Sequence, residues 1–333
     1  MKIAIVNSSS FGRHFPEHLH RLSALGEVQR FDLPVDIGGR ELAETLNGFD
    51  IIIASVKPNF HREFFDMKDC IRLITRHGIG YDNVDVVAAT ERNCIVSRVA
   101  GWVEREAVAE TTITLLLDIL RRTPDASQRV RVNRWADRAE FVGWEIKGKK
   151  VGIIGIGNIG SRVCEILKFG FGAHVMAYDP NLYPDVISSL GAEPVGLDHL
   201  LRESDIISLN ASLNPTSRYM LSTREFGLMK HGVYIVNSAR GELIDQNALI
   251  AALEFGKVAG IGMDVVENEP IDSSHPLLQY PNVMIVPHIA AYTMESLRLM
   301  GEKVVDDIER VARGEIPDDV INPNVVCQFR SEA

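Results

Sequence analysis

The sequence predicts an α/β protein made of two doubly wound parallel-sheet domains, and three observations carry that expectation. Short β-branched runs alternate with helical patterns almost throughout the chain, as in successive βαβ units. At 333 residues the chain exceeds the usual size of one core, and 46% hydrophobic against 24% charged residues supply enough apolar material for two. A second strand–helix series begins at 150–155 with a Val/Ile run and a glycine-rich turn at 155–160, so the two series read as two domains of unequal size.

In the first third, strands are expected at 2–6, 50–55, 71–75 and 94–97, with helical stretches such as 40–47 and 84–92 between them. A long helix over 104–122 follows, closed by Thr123-Pro124, where the proline ring cannot continue it. The segment 125–144 is more polar, with Arg129, Arg131, Arg134 and Arg138 among Trp135, Phe141 and Trp144. It reads equally as a solvated helix with aromatic anchors or as a subunit-contact arm. The second series places strands at 150–155, 174–179, 205–210, 233–237, 258–264 and 283–287. A final amphipathic helix over 293–313 repeats apolar Leu297, Met300, Val304, Val305, Ile308 and Val311 at helical spacing.

Composition excludes several classes. A formal net charge of −10 argues against nucleic acid, whose phosphates need a basic face. Cys70, Cys94, Cys164 and Cys327 are scattered, without the spacing of a zinc site, and read as reduced thiols of a cytoplasmic protein. The N-terminal apolar run is too short for a signal peptide, and no run reaches the roughly 18 residues of a membrane span. Neither a metal nor a membrane is expected.

The strongest local signal is Gly155-Ile156-Gly157-Asn158-Ile159-Gly160, set between a strand and an apolar-periodic helix. Gly155 permits the tight turn, Gly157 lets the backbone approach a pyrophosphate, and Gly160 lets the helix pack closely on the sheet. Free amides at the helix start then favour an anion. Asp179 stands 19 residues beyond Gly160, at the end of the next strand. An acid there accepts from ribose hydroxyls and repels a 2′-phosphate, and no arginine follows at once, which favours NAD over NADP.

Three later strands end in polar groups, where an open α/β sheet puts its ligands. They are Asn237-Ser238-Ala239-Arg240-Gly241, the run from Asp264 through Glu267, Glu269 and Pro270, and Pro287-His288-Ile289-Ala290. Reducing a 2-oxo acid requires a cation for the carboxylate, a proton donor for the developing alkoxide, and a group that orients the donor. Arg240 offers the planar fork, His288 the proton, and a neighbouring carboxylate the orientation. Each alone has a bland reading, Arg240 as a surface charge and His288 as a structural imidazole; behind a dinucleotide motif the joint reading is the stronger.

These segments together resemble the D-isomer-specific 2-hydroxyacid dehydrogenase family over essentially the whole chain. The cofactor motif with Asp179, the N-x-x-R-G, D-V-x-E-x-E-P and P-H-I-[AG] segments, and the loop Arg76-His77-Gly78-Ile79-Gly80-Tyr81-Asp82-Asn83-Val84-Asp85 all occur in family order. The resemblance implies NAD as cofactor and catalysis by Arg240, Glu269 and His288, with Glu269 rather than Glu267 as the histidine's partner. It implies cofactor contacts from Gly155, Gly157, Asn158, Ile159, Gly160, Asp179, Asn210, Ala239, Asp264 and His288, with Asp264 on the nicotinamide carboxamide. Lys57, Ile79, Gly80 and Arg240 are implied for the substrate, the amides of Ile79 and Gly80 helping to hold its carboxylate. It further implies a Rossmann cofactor domain at 101–287 inserted in a smaller flavodoxin-like substrate domain formed by 1–100 and 288–333, with the cleft between them closing during hydride transfer. A homodimer joined through the cofactor domains is implied too, which makes 125–144 an expected interface.

The implied activity is NAD-linked interconversion of a 2-oxo acid and its D-2-hydroxy acid; the handedness comes from the resemblance alone. Phosphoglycerate, hydroxypyruvate or glyoxylate, D-lactate-like acids and sugar acids all remain candidates, and no regulatory extension is expected after Ala333. The alternative is an NAD(H)-sensing, co-repressor-like binding protein on the same fold, against which the complete Arg–Glu–His set argues. A formate dehydrogenase would lack an ionisable residue at 269. Two departures bear on the substrate. Glu104 stands where many members have Asn, and Asn210-Ala211-Ser212 replaces the usual His-x-Pro. An acid at 104 disfavours a dianionic substrate, unless Arg105 or Lys57 compensates or Glu104 faces away.

Overall fold

The computed structural model describes residues 1–325. Cys327 lies outside the described residues. The chain divides into two compact units, one formed by 1–104 with the described residues from 292 onward, the other by 105–291.

In the first unit, β1 (Lys2–Val6), β2 (Glu27–Phe31), β3 (Ile51–Ala54), β4 (Leu73–Arg76) and β5 (Ile95–Ser97) form one parallel sheet in the order β2-β1-β3-β4-β5. The inner strands are apolar on both faces, because a parallel sheet is covered on both sides. Ala4, Val6, Ile52 and Ala54 pack on Leu42, Phe60, Phe64 and Phe65 on one side. On the other, Ile3, Ile5, Ile51 and Ile53 meet Leu22 and the Val304, Val305, Ile308 stripe of the Met294–Ala312 helix. That helix also lies against the Pro16–Ser23 helix so closely that a Cβ on Gly301 would fall 2.2 Å from His18 Nδ1. Asp307 on the same helix is buried and accepts from Ser97 Oγ (2.6 Å), Thr75 Oγ1 (3.3 Å) and Lys303 Nζ (2.6 Å), tying it to β4 and β5.

In the second unit, β6 (Lys150–Ile154), β7 (His174–Tyr178), β8 (Glu193–Pro194), β9 (Ile206–Leu209), β10 (Val233–Asn237), β11 (Val258–Met263) and β12 (Val283–Ile285) form a parallel sheet ordered β12-β11-β10-β9-β6-β7-β8. The order reverses at β6, which pairs with both β7 and β9, so the loop after β6 sits at the switch point of the sheet. The Arg105–Arg121 helix covers one face through Ala109, Ile113, Leu116 and Leu120. Arg122 then adopts a left-handed backbone (φ 52°), and Pro124, rather than only ending this helix, opens the next one, Thr123–Arg131. Neither that helix nor the 3-10 turn Trp135–Glu140 buries a residue.

The two sheets are the expected α/β architecture, with three differences. Strands β2 and β8 were not expected. Both are edge strands, β2 carrying Glu27, Gln29 and Arg30 and β8 only two residues long, so neither has an apolar run to reveal it. The units also divide at 104/105 and 291/292, four residues after the expected 100/101 and 287/288. The reason is hydrogen bonding: Ile79 N donates to Glu104 in the first unit, and the amides of His288, Ile289 and Ala290 all bond to Asp264 in the second. Among the described residues, no helix is long and apolar enough to cross a membrane, and no cluster of His, Cys, Asp or Glu could hold a metal ion.

Candidate active site

The glycine loop is shaped by what its missing side chains permit. Gly155 has φ +84°, and a Cβ there would lie 2.6 Å from Ala211 N. A Cβ on Gly160 would fall 2.1 Å from Gly155 O, so only glycine lets the Asn158–Glu165 helix start this close to the strand. Gly157 differs, since nothing lies within 4 Å of its Cβ position. Beside that open space the helix begins with no side-chain cap, leaving its first-turn amides to an outside acceptor. Asp179, directly after β7, is braced by the amides of Ile156 (3.1 Å) and Asn181 (3.0 Å). A carboxylate has about four lone-pair sites, so acceptor capacity remains for ribose hydroxyls. Asn210 donates to Ser208 Oγ at 3.0 Å, while its Oδ1 is buried without a partner next to the helix start. Open space at Gly157, an uncapped helix, a braced acid and an orphaned acceptor fit a dinucleotide. Asn158 and Ile159 form the helix start itself.

The ends of β10 and β11 and the segment after β12 converge in the same unit. Asn237 is fully buried, its Oδ1 accepting from Ala239 N (3.0 Å) and its Nδ2 donating to Arg240 O (2.9 Å), so one side chain folds the whole Ser238–Arg240 turn. Ser238 is pinned to Thr112 (2.5 Å) on the long helix, and Arg240 Nη1 donates to Ala239 O (2.7 Å). Next to it, a Cβ on Gly241 would collide with Val266 C at 2.1 Å. The Arg240 turn and the loop after β11 are therefore in backbone contact, which neither segment announces in sequence.

Glu269 and His288 meet directly. His288 Nδ1 lies 2.8 Å from Glu269 Oε2, and Glu269 Oε1 accepts from Val266 N at 2.8 Å. An ionised carboxylate only accepts, so a proton on Nδ1 would leave Nε2 as the atom able to exchange one with a ligand. Glu267 points elsewhere, to Tyr219 Oη and Arg218 Nη2. His288 itself has φ 53°, a left-handed conformation held by its amide on Asp264 O (2.9 Å) and Val286 O (3.0 Å).

Asp264 is 2% exposed, and its Oδ1 accepts from Ile289 N (2.7 Å) and Ala290 N (3.1 Å), with Oδ2 also 3.1 Å from Ala290 N. In the structure this carboxylate holds the turn that carries His288. Burial raises its pKa, and the nearby His288 and the two amides work against that rise.

In the first unit, the loop after β4 is organised by Arg76, a residue to which the sequence motif assigns no role. It is 2% exposed and donates through Nε to Gly80 O (2.7 Å) and through Nη1 to Ala54 O (2.6 Å). An arginine at the end of an apolar strand was the available signal. The Ile79 amide is engaged, donating to Glu104 Oε1 at 3.1 Å. Lys57 Nζ lies 3.4 Å from Asn59 Oδ1.

Comparison with known proteins places the chain. The family described as D-isomer specific 2-hydroxyacid dehydrogenase, NAD binding domain, matches residues 113–290. The D-3-phosphoglycerate dehydrogenase of Methanocaldococcus jannaschii is 36% identical over 312 residues, 93% of this chain but 59% of that protein's own length. The glyoxylate reductase of Thermococcus litoralis is 34% identical over 321 residues, covering 94% of this chain and 96% of that one. The apo structure of D-lactate dehydrogenase from Escherichia coli superposes with a TM-score of 0.81 at 33% identity, covering 96% of this chain and 100% of that one. On a cofactor fold complete in its glycine loop, and with relatives of this identity and coverage, the chain belongs to the D-isomer specific 2-hydroxyacid dehydrogenase family of NAD-dependent oxidoreductases.

Proposed function

We propose that the protein interconverts a 2-oxo acid and its D-2-hydroxy acid, with His288 as acid/base, Glu269 as its orienting carboxylate and Arg240 as the cation for the substrate's carboxylate and carbonyl. The observation that carries this reading is the 2.8 Å contact of His288 Nδ1 with Glu269 Oε2, in the unit that also holds Arg240 and the glycine loop. NAD, when bound, carries the hydride to or from the substrate's C2. Glycines 155, 157 and 160 with the amides of Asn158 and Ile159 would hold its pyrophosphate, and Asp179 its ribose. Asn210, Ala239, Asp264 and His288 would contribute the remaining contacts. In the reducing direction His288 Nε2 gives its proton to the developing alkoxide, so that one proton and one hydride together convert the carbonyl to the alcohol. Glu269 keeps the imidazole in the tautomer and orientation this requires. Ile79 and Gly80 are proposed for the substrate's carboxylate, the Ile79 amide exchanging its bond to Glu104 for one to the ligand, and Lys57 as a further substrate contact.

Relatives named for phosphoglycerate and for glyoxylate make both acids, in their oxo or hydroxy form, candidates for this chain. A homodimer is part of the same proposal, through the segment 125–144, where Trp135, Val142 and Trp144 are 70%, 83% and 57% exposed. So is a reducing, cytoplasmic setting, in which Cys70, Cys94 and Cys164 remain free thiols.

The test is a panel of 2-oxo acids with NADH, followed by loss of nicotinamide absorbance, on the unmodified protein and on His288→Ala. The variant should lose about 10²–10⁴-fold in turnover, the usual size of a general acid–base contribution, while NADH binding persists. Unchanged turnover would remove His288 from the mechanism. NADH binding without turnover of any acid by the unmodified protein would point to a sensor instead.

A further inference from the structure

We infer that Thr111 and Thr112, neighbours on the Arg105–Arg121 helix, are positioning residues: the first sets the turn bearing His288 and the second the turn bearing Arg240. This rests on the roles proposed above for those two side chains, and every residue involved belongs to the 105–291 unit.

The juxtaposition is a pair of hydrogen bonds leaving the helix. Thr111 Oγ1 donates to Ala290 O at 3.2 Å, two residues beyond His288. Thr112 Oγ1 lies 2.5 Å from Ser238 Oγ, two residues before Arg240. A third partner fixes the direction of the second bond. Thr112 Oγ1 is also 2.7 Å from Val108 O, which only accepts, so its single proton goes there and Ser238 is the donor. Thr114, by contrast, turns its hydroxyl back to Glu110 O (2.9 Å), the ordinary local bond of a helical threonine.

Successive residues on a helix point about 100° apart with a rise of about 1.5 Å, so two neighbours can face the ends of two different strands. Here Ser238 follows β10, and Ala290 lies in the segment after β12. The helix that carries both threonines is itself fixed. Its Ala109, Ile113 and Leu116 are buried in the core, and a Cβ on Gly262 of β11 would fall 3.0 Å from Leu115 Cβ and 3.2 Å from Leu115 O. The helix therefore rests directly on the strand backbone. Threonine is a weaker helix former than alanine or leucine, and the apolar stripe needs neither hydroxyl. What the hydroxyls hold explains their place.

Other bonds of each turn run among the strand ends: Asn237 folds Ser238–Arg240, and Asp264 takes the amides of Ile289 and Ala290. The threonines refer both turns to one rigid body, on which the alignment of a held carboxylate with a proton donor depends. The two contacts should therefore fail differently. Arg240 binds the carboxylate before and during reaction, so loosening its turn raises KM. His288 moves its proton only in the transition state, so loosening its turn lowers kcat.

The experiment uses Thr111→Val and Thr112→Val, which keep the branched side chain and remove the hydroxyl, with Thr111→Ser and Thr112→Ser as rescues. Thr111→Ala and Ser238→Ala break the same two contacts should a valine variant not fold. Kinetics are read with saturating NADH and the 2-oxo acid that the unmodified protein reduces fastest. Thr112→Val should raise KM about fivefold with kcat within about twofold, the effect of one neutral hydrogen bond. Thr111→Val should lower kcat about fivefold with KM within about twofold. The serine variants should stay close to the unmodified protein. Equal losses in both parameters from both variants would reduce the helix to a support of the fold and overturn the inference, as would no change in either.

Two further readings need no turnover. The calorimetric affinity of oxamate for the NADH-saturated protein should fall about fivefold in Thr112→Val and hold in Thr111→Val. The ring 15N shifts of His288, assigned by their loss in His288→Ala, should move in Thr111→Val and hold in Thr112→Val. If the unmodified protein reduces no acid, the proposed reaction fails, and these readings decide the inference alone. Should oxamate not bind, the nitrogen shifts decide it, and signals unmoved by Thr111→Val overturn it.

Discussion

In each unit the first strand of the sheet leads through a loop into a helix at the point where the parallel sheet reverses its order, yet the two loops have opposite interiors. After β6 the chain turns on glycines and leaves empty space beside Gly157. After β1 the corresponding turn is packed with side chains. Asn7, at φ +50°, exchanges hydrogen bonds with both the carbonyl and the amide of Leu33 (2.9 and 2.7 Å). Arg30 caps Ser8 O and Phe11 O, and Ser8 Oγ lies 3.2 Å from the ring of buried His77. Phe11 stands edge-on to the same imidazole at 5.3 Å. The difference teaches that the switch point of a sheet supplies only a crevice. Whether a phosphate can enter is decided by a few Cβ atoms and by which groups already satisfy the loop's amides and carbonyls.

The sharpest way to break this comparison is at Gly160 and Gly157. In Gly160→Ala the new methyl meets a backbone oxygen, so the helix must move; a loss of about 1–3 kcal/mol in stability is expected, together with loss of detectable NADH binding. Gly157→Ala has room for its methyl and should melt like the unmodified protein, while its NADH affinity, read by fluorescence titration, falls by tenfold or more in rough terms. If Gly157→Ala bound NADH normally, the space beside Gly157 would not be where the pyrophosphate lies.

A smaller effect separates the loops by function. Asp179→Ala should relax the preference for NADH over NADPH, measured as the ratio of dissociation constants, with little change in melting temperature. Arg30→Ala should do the reverse, costing about 1 kcal/mol by leaving two carbonyls without their donor, with NADH affinity unaltered. A change in nucleotide preference from the Arg30 substitution would mean that the filled loop also belongs to the cofactor site.

The smallest effect near neutrality is the pH response of His77. Burial, helped by the positive charge of Arg76, lowers its pKa from 6.5 to about 3. The unfolded chain therefore binds a proton between those values that the folded chain refuses. The stability this residue contributes is complete above pH 6.5 and is lost as pH falls from there toward 3. Melting temperatures between pH 7 and pH 4 should fall less steeply in His77→Gln than in the unmodified protein. Parallel curves would show that His77 is not held neutral by the fold.

Much of this arrangement was legible in sequence because it depends on residues that are adjacent in the chain. The inner strands β1, β3, β6 and β9 are continuous apolar runs, and the glycine loop needs only its own spacing. The edge strands were not legible, since β2 is stabilised by pairing with β1 rather than by a pattern of its own. The choice of Glu269 over Glu267 came from family resemblance; in the structure the two side chains diverge, one to His288 and the other to Tyr219. What no local pattern could reveal are contacts made across long stretches of chain. The carboxylate of Glu104 on the Ile79 amide spans 25 residues, and that of Asp264 on the Ile289 and Ala290 amides spans as many again. The same limit hides why His288 belongs with the second unit, because the bonds that attach it there come from the end of β11.

The edge strands that the sequence concealed also govern how copies of this protein can approach one another. Strand β2 presents Glu27, Gln29 and Arg30, β8 stops after two residues at Pro194, and the edge of β5 is covered by an antiparallel bridge from Val320 to Ser97. A charged rim, a proline and a covering segment each deny a neighbouring chain the row of open amides on which sheets extend. At these three edges, β12 being the fourth, association should therefore run through side-chain surfaces that can close and saturate, and not through strand addition, which has no natural end.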